Sequence, residues 1–500
     1  MSAVVTKLKA PQPMPVIEVK AGRLAAMVDE AVAAVARTLR VYDRGSVLVA
    51  LNPSTGACAA LTSATMRVEM ARSARWMRKV KDLEDGWKLV PDDPPTAVAK
   101  AMVDMGSWEH IPVLKAAVDH QLWVSPGRAH PGGYDKETCV YSIAHQPAAS
   151  ARVDATREEA EDALCTLQDA IHTFPWADKC DEAAALASML AALSRPVLKI
   201  APLILITAPA PGSGKALLGR AISQFAQAAT PPASPLAGEE EEIKKDLFAR
   251  LLAGQQVIFY DEVEKGPGAA LDSISIRSLA TSEVFSTRLL GASKSPAVST
   301  CVTVVITANN ATPAADSARR MLEIRLDPRC ETPASRRFSG PPPAEIVAKR
   351  RAEMIRAAMT VQAAFLAAGR PGLDDLPPCS DFHDWNLWAR GPIAWLMGVD
   401  PAKRLMEAQQ TDSTAGEIAE ALNAIYRRMS TTRWKVTELL QHEDTTSALR
   451  EAIGLPPNRE PGSKQIGRWL VGARDRIAGD LVLRVASRAA GSITWRIEKA

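Results

Sequence analysis

The apolar run Leu203-Ile204-Leu205-Ile206 leads through Pro209-Ala210-Pro211-Gly212-Ser213-Gly214-Lys215-Ala216 into the helical pattern LLGRAISQFAQ, and this order constrains the fold more than any other feature. A short run without polar interruption suits a buried parallel strand. Gly212 and Gly214 let the backbone curl closely around a polyphosphate, the following helix offers free N–H groups to its charge, and Lys215 can reach the outer phosphates. Strand, loop, lysine and helix in that order predict an α/β nucleotide-binding core. A Gly/Pro surface turn is the competing explanation. Pro209 stands where this kind of loop usually has glycine, and Ala216 where it has Ser or Thr. The alanine removes a hydroxyl that normally touches Mg²⁺, so the metal needs water or an acid from elsewhere.

Downstream, Val257-Ile258-Phe259-Tyr260 ends in Asp261-Glu262, which puts two carboxylates at the C-terminal tip of a candidate parallel strand. Asp261 there is suited to hold Mg²⁺ through its water shell, and Glu262 to orient and deprotonate an attacking water. Capping of a following helix by Asp261 is the alternative. A third run, Val302 to Ile306, closes with Thr307-Ala308-Asn309-Asn310. A neutral amide at that strand end positions water and touches a γ-phosphate without adding negative charge, although an Asn pair also simply makes turns. Arg319-Arg320 precedes the run Met321 to Leu326. An arginine fork across a subunit boundary can grip a neighbour's γ-phosphate, whereas a solvent-facing basic pair needs no such partner.

The succession APAPGSGKA, VIFYDEVE, TANN and DSARRMLEIRL resembles the AAA+/superfamily 3 ATPases of phage and mobile-element replication helicases, many of which resemble primase-helicase fusions. The resemblance runs from about Leu203 to Leu326. It implies an ATPase site built from the loop Pro209 to Ala216 with Lys215, the acidic pair Asp261 and Glu262, a sensor at Asn309 or Asn310, and a trans-acting Arg319 or Arg320. Its further implications are ATP and Mg²⁺ as cofactors and DNA as partner. It also implies a homo-oligomeric ring, often a hexamer, serving replication of a phage, plasmid or integrated element. A separate primase or other replication protein is an expected companion, because no zinc ribbon or acidic polymerase cluster precedes the loop. In relatives a DNA-touching hairpin lies between the acidic pair and the sensor strand, the region of Ser286, Thr287, Arg288 and Lys294. Ala216 leaves a second reading open: an origin-binding or assembly ATPase, or a scaffold, with weak or absent hydrolysis.

At 500 residues the chain can support several cores, and abundant Ala with few aromatics favours helix. No apolar stretch has transmembrane length and the N-terminus lacks the pattern of a secretory leader, so no membrane association and a bacterial host cytoplasm are expected. The seven scattered cysteines form no CxxC pair, so neither zinc nor a disulfide framework is indicated. A net charge of +3 makes any nucleic-acid contact a local patch or channel.

Punctuation divides the chain into a disordered tail (1–20), a mixed α/β or collar domain (21–150), an AAA+ ATPase domain with preceding helices (151–340), a helical domain (341–430) and a winged-helix domain (431–500). In the second segment, Thr62 to Lys79 reads as a helix bearing a basic stripe of Arg67, Arg72, Arg75, Arg78 and Lys79. In the last, three short helices and a wing between Leu481 and Ile497 read as a winged helix, with eight basic residues against three acids between Lys464 and Lys499. Lys464, Arg468, Arg474 and Arg488 are the candidate DNA contacts there, although winged helices also bind proteins.

Overall fold

The computed structural model describes all residues except 1–12, 83–85, 144–151, 237, 264–269, 288–294, 310, 312–314, 331, 336–339, 380, 411–412, 457 and 490–491. The described residues divide into two units, those within 1–313 and 320–404 forming one and those within 314–319 and 405–500 the other.

The first unit opens with β1 (Val16–Val19), α1 (Leu24–Ala36), the antiparallel strands β2 (Val41–Asp43), β3 (Leu48–Leu51) and β4 (Cys58–Ala60), and α2 (Ser63–Ser73). β5 (Arg75–Asp82), β6 (Gly86–Pro91) and α3 (Thr96–Met105) come after them. β1 lies inside the segment expected to be a disordered tail and pairs in parallel with β5, putting Ile17 into the core beside Trp76. The helix expected across Thr62 to Lys79 ends at Ser73 instead. Ala74 N–H and the Trp76 indole N–H both donate to the Met70 carbonyl, at 3.2 and 3.1 Å, and close the helix end. Beyond it the chain is extended, so the supposed stripe is split between helix (Arg67, Arg72) and strand (Arg75, Arg78, Lys79).

A small β region comes next: β7 (Ala116–Val118), β8 (Trp123–Ser125), β9 (Arg128–Ala129), β10 (Gly133–Asp135) and β11 (Val140–Ser142). Arg44 ties the N-terminal strands to this region and to the chain around Leu251. Its buried guanidinium donates to the Leu251 carbonyl at 2.9 and 2.7 Å and to the Leu114 and Lys115 carbonyls at 3.1 and 2.9 Å. Each of the three guanidinium nitrogens therefore has an acceptor.

Helices α4 (Arg157–Gln168) and α5 (Lys179–Ser194) then lead to the core sheet, both opened by capping boxes, at Thr156/Glu159 and Asp178/Asp181. The order onward is β12 (Leu203–Ala208), α6 (Lys215–Ala226), β13 (Ala233–Ser234), α7 (Glu240–Leu252), β14 (Val257–Val263), α8 (Ile274–Thr281), β15 (Val284–Ser286), β16 (Ala297–Ser299), β17 (Thr303–Asn309), α9 (Ala315–Ala318, in the second unit) and β18 (Met321–Arg325). Among the described residues the core sheet is parallel throughout, in the order β13-β14-β17-β12-β18. Leu203 to Ala208 are buried at every position, as an apolar run covered on both faces requires. Helix α6 lies on β12, β14 and β17, and α5 packs on β18. Gly219 permits that closeness, because a Cβ there would come within 2.8 Å of the Phe259 ring.

The edge of this sheet is pinned electrostatically. Asp181, fully buried, accepts from Arg404 Nε and Nη2 at 2.5 and 2.7 Å, from Arg325 N at 2.8 Å and from Asp178 N at 2.9 Å. Losing either partner of such a pair leaves an uncompensated buried charge, at a cost of about 3–5 kcal/mol. The unit closes with α10 (Pro343–Ala367), α11 (His383–Trp385), a π-helical turn (Asn386–Arg390) and α12 (Gly391–Met397), among which Trp385 and Trp388 are core residues.

After α13 (Lys403–Gln410), which spans the unit boundary, the second unit contains α14 (Ser413–Met429), α15 (Val436–Leu439), α16 (Glu443–Ala452), α17 (Ser463–Ala473) and the antiparallel strands β19 (Ile477–Ala478), β20 (Leu481–Ala489) and β21 (Ser492–Lys499). Its core joins Leu422 and Ile425 of α14 to Trp434, Leu449, Leu470, Leu483 and Trp495. Helix α17 ends at Ala473, because Arg474 leaves helical geometry and Asp475 takes a positive φ of 63°.

Candidate functional site

Three adjacent parallel strands, β14, β17 and β12, end on the same side of the sheet, and the polar residues singled out in the sequence gather there. The loop 209–214 connects β12 to α6. Gly212 (φ +73°) and Gly214 (φ +98°) occupy left-handed conformations, and Gly214 caps α6 directly before Lys215. Ser213 Oγ donates to the Ala210 carbonyl at 2.6 Å and braces the turn. A Cβ at Gly214 would lie 3.5 Å from the Phe174 ring, so the segment between α4 and α5 supports the loop from outside.

Lys215 is buried, and its Nζ donates to Asn309 Oδ1 at 2.6 Å. Burial pulls the ammonium below the ordinary lysine range, while the Glu262 and Asp261 carboxylates oppose that shift. The lysine, the acids and the amide therefore share one electrostatic site.

The acidic tip has a geometry that the sequence did not reveal. Pairing between β14 and β17 slips after Tyr260↔Ile306 and resumes at Val263↔Ala308, so Asp261 and Glu262 together face the single residue Thr307. Glu262 takes a φ of +54° in this bulge. A bulge bends its strand and re-aims side chains, and a non-glycine residue held at positive φ stores local strain. Thr307, fully buried, stabilises the arrangement: its Oγ1 donates to Asp261 Oδ1 at 2.5 Å and accepts from Glu262 N at 2.9 Å. One hydroxyl thus fixes both acidic residues. The only sequence signal for it was its place two residues before Asn309.

Asn310 lies outside the described residues, which leaves Asn309 as the sensor candidate with a defined position. Arg320 stands at the other end of the sheet. Its carbonyl accepts from Leu203 N at 2.9 Å, at the start of β12, whereas Lys215 follows that strand's far end. Six strand residues at about 3.3 Å each separate the two ends by roughly 20 Å. Arg320 therefore cannot reach the Lys215 site of its own chain. Arg319 is exposed and belongs to the second unit.

In that unit Lys464 and Arg468 lie four residues apart on the exposed face of α17, opposite the buried Ile466, Leu470 and Ala473. Arg474 is exposed but paired with Asp475 at 3.1 Å. Arg488 is on β20 opposite Ile493, and its side chain lies outside the described residues. Arg288 and Lys294 also lie outside them, between the antiparallel strands β15 and β16. Among the described residues no helix is long and apolar enough to cross a membrane, and no three His, Cys, Asp or Glu residues are grouped to hold a metal ion.

No family model and no curated protein matches the chain. Among solved structures, one described as the A-form apo structure of the NrS-1 C-terminal region, residues 305–718, aligns over 93% of this chain and 98% of that chain, at 10% sequence identity and a TM-score of 0.40. A likeness that loose carries no functional conclusion.

Proposed function

We propose that this chain is an ATP-hydrolysing replication motor of the AAA+/superfamily 3 kind, working on DNA as a ring of several copies. The observation that carries the reading is the convergence of Lys215, Asn309, Thr307 and Asp261, linked by hydrogen bonds at the ends of three neighbouring parallel strands. Because β17 lies between β12 and β14, the amide of Asn309 falls between the loop lysine and the acidic tip, where a γ-phosphate and an attacking water have to meet.

The residues fit a magnesium-bound triphosphate. Gly212 and Gly214 leave room for phosphate oxygens against the backbone, and the start of α6 offers N–H groups to their charge. Lys215 exchanges its bond to Asn309 for one to phosphate, and the freed amide orients water. Thr307 holds Asp261 as an acceptor toward the ion's water shell. Mg²⁺, when bound, neutralises charge developing on the phosphates. Glu262, exposed at the tip, is the base that takes the proton of the attacking water. The distance of Arg320 from the Lys215 site of its own chain supports a role in the site of another copy, where it grips the γ-phosphate and couples turnover to oligomerisation. The pair β15–β16 occupies the region where relatives present a hairpin to DNA. The exposed Lys464 and Arg468 on a helix followed by an antiparallel sheet support a winged-helix contact with phosphates.

Ala216 favours a second reading, an assembly ATPase with weak turnover, because no hydroxyl follows Lys215 to meet the metal. Hydrolysis assays on Glu262→Gln separate the two. A motor shows DNA-stimulated hydrolysis and strand separation, both lost in the variant while ATP binding persists. An assembly factor binds ATP and DNA with negligible turnover in either form.

A further inference from the structure

One face of the β5–β6 ribbon does not behave as a solvated surface should. Cross-strand pairs Lys79↔Leu89 and Lys81↔Trp87 place these four side chains on the same side of the ribbon, and Arg75 shares that side by strand alternation. Trp87 is 69% exposed and Leu89 46% exposed, while Arg75, Lys79 and Lys81 are exposed too. The opposite side carries Trp76, which is buried in the N-terminal core, so the orientation of the ribbon is set by packing. Lys79 makes a loose ion pair with Glu18 at 3.7 Å, both side chains remaining in contact with solvent. Such a pair stabilises little and yields readily to a stronger anion.

We propose that this ribbon binds single-stranded nucleic acid, with Trp87 stacking on an unpaired base while Arg75, Lys79 and Lys81 track the phosphates. An exposed indole offers a flat face that a base can cover only when its own faces are free, which selects single strands over duplex. Leu89 extends the apolar platform, and the alternate lysines, about 6.6 Å apart along the strand, give the backbone a charged rail. Charge complementarity decides for this occupant over a second copy of the chain, since Arg75, Lys79 and Lys81 outweigh the Glu18 carboxylate on this face and like faces would repel in a like-to-like contact. The site is separate from the Lys215 site and needs no nucleotide, so it stands or falls independently of the motor reading.

Anisotropy of a labelled oligo-dT, titrated with the 500-residue chain in the absence of nucleotide, tests the proposal. Trp87→Ala should weaken binding by about tenfold. Lys79→Gln with Lys81→Gln should weaken it further and flatten the dependence of log K on log salt by about 1.4, roughly 0.7 for each lost phosphate contact. All three positions are exposed, so the fold tolerates the changes. Wild-type affinity and salt slope in both variants would overturn the proposal. So would equal loss of duplex and single-strand binding in Trp87→Ala, or variants whose sedimentation changes while oligo-dT binding does not, which would mark the face as a contact between copies.

Discussion

The tip of the parallel sheet and the β5–β6 ribbon both concentrate lysine near apolar residues, yet they treat charge in opposite ways. At the sheet, Lys215 is buried and held at 2.6 Å from Asn309, with the Asp261 carboxylate and the Glu262 backbone N–H of β14 both braced by one threonine. On the ribbon, Lys79 and Lys81 stand in solvent beside an exposed indole. A buried, preorganised cation acts through geometry and is little screened, whereas exposed ones act through attraction that salt weakens. The sheet tip can therefore support chemistry, and the ribbon reversible grip.

The widest break in this comparison is expected from the acidic pair. Glu262→Gln should lower ATP turnover by about a hundredfold or more with nucleotide binding retained, whereas Trp87→Ala should leave turnover without DNA unchanged, as measured by phosphate release. Thr307→Val comes next. It removes the hydroxyl from Asp261 and from Glu262 N without changing side-chain size much, so turnover should fall about tenfold or more and stability by about 1–3 kcal/mol, read by hydrolysis and by denaturant titration. Gly219→Ala presses a methyl against Phe259 and should cost about 1–3 kcal/mol in the same titration, with ribbon binding to oligo-dT unaffected.

The smallest effect concerns protons. Burial lowers the Lys215 ammonium, and a neighbouring triphosphate raises it again. In the alkaline window between those two values, binding should take up a proton, and affinity should decline as pH rises through the value of the complex. Calorimetry of ATP binding in alkaline buffers of differing ionisation enthalpy reads that uptake directly.

The elements around the site were legible in the sequence because the three strands that carry it are built on short, unbroken apolar runs followed by polar chemistry. Leu203 to Ile206 and Val257 to Tyr260 lie in buried parallel strands, as does the third run from Thr303, one residue after its expected start at Val302, to Ile306. The bulge at Asp261-Glu262 was not legible, since it depends on how β14 registers against β17, and a lone threonine carries no signal for bridging two acids. The support of Gly214 by Phe174 is likewise a contact between segments distant in sequence. The stretch Arg75 to Lys79 resembles helix in sequence because its basic spacing suits a helix face. The decisive fact, that Trp76 closes the preceding helix and β1 pairs alongside, is tertiary.

Calorimetric titration of ATP in the presence of Mg²⁺ into the wild-type chain and into Lys215→Ala tests the central claim most directly. The account predicts saturable binding in the wild type, weakened about a hundredfold or more by the substitution. No binding to the wild type at any Mg²⁺ level, or equal binding to both, would contradict it.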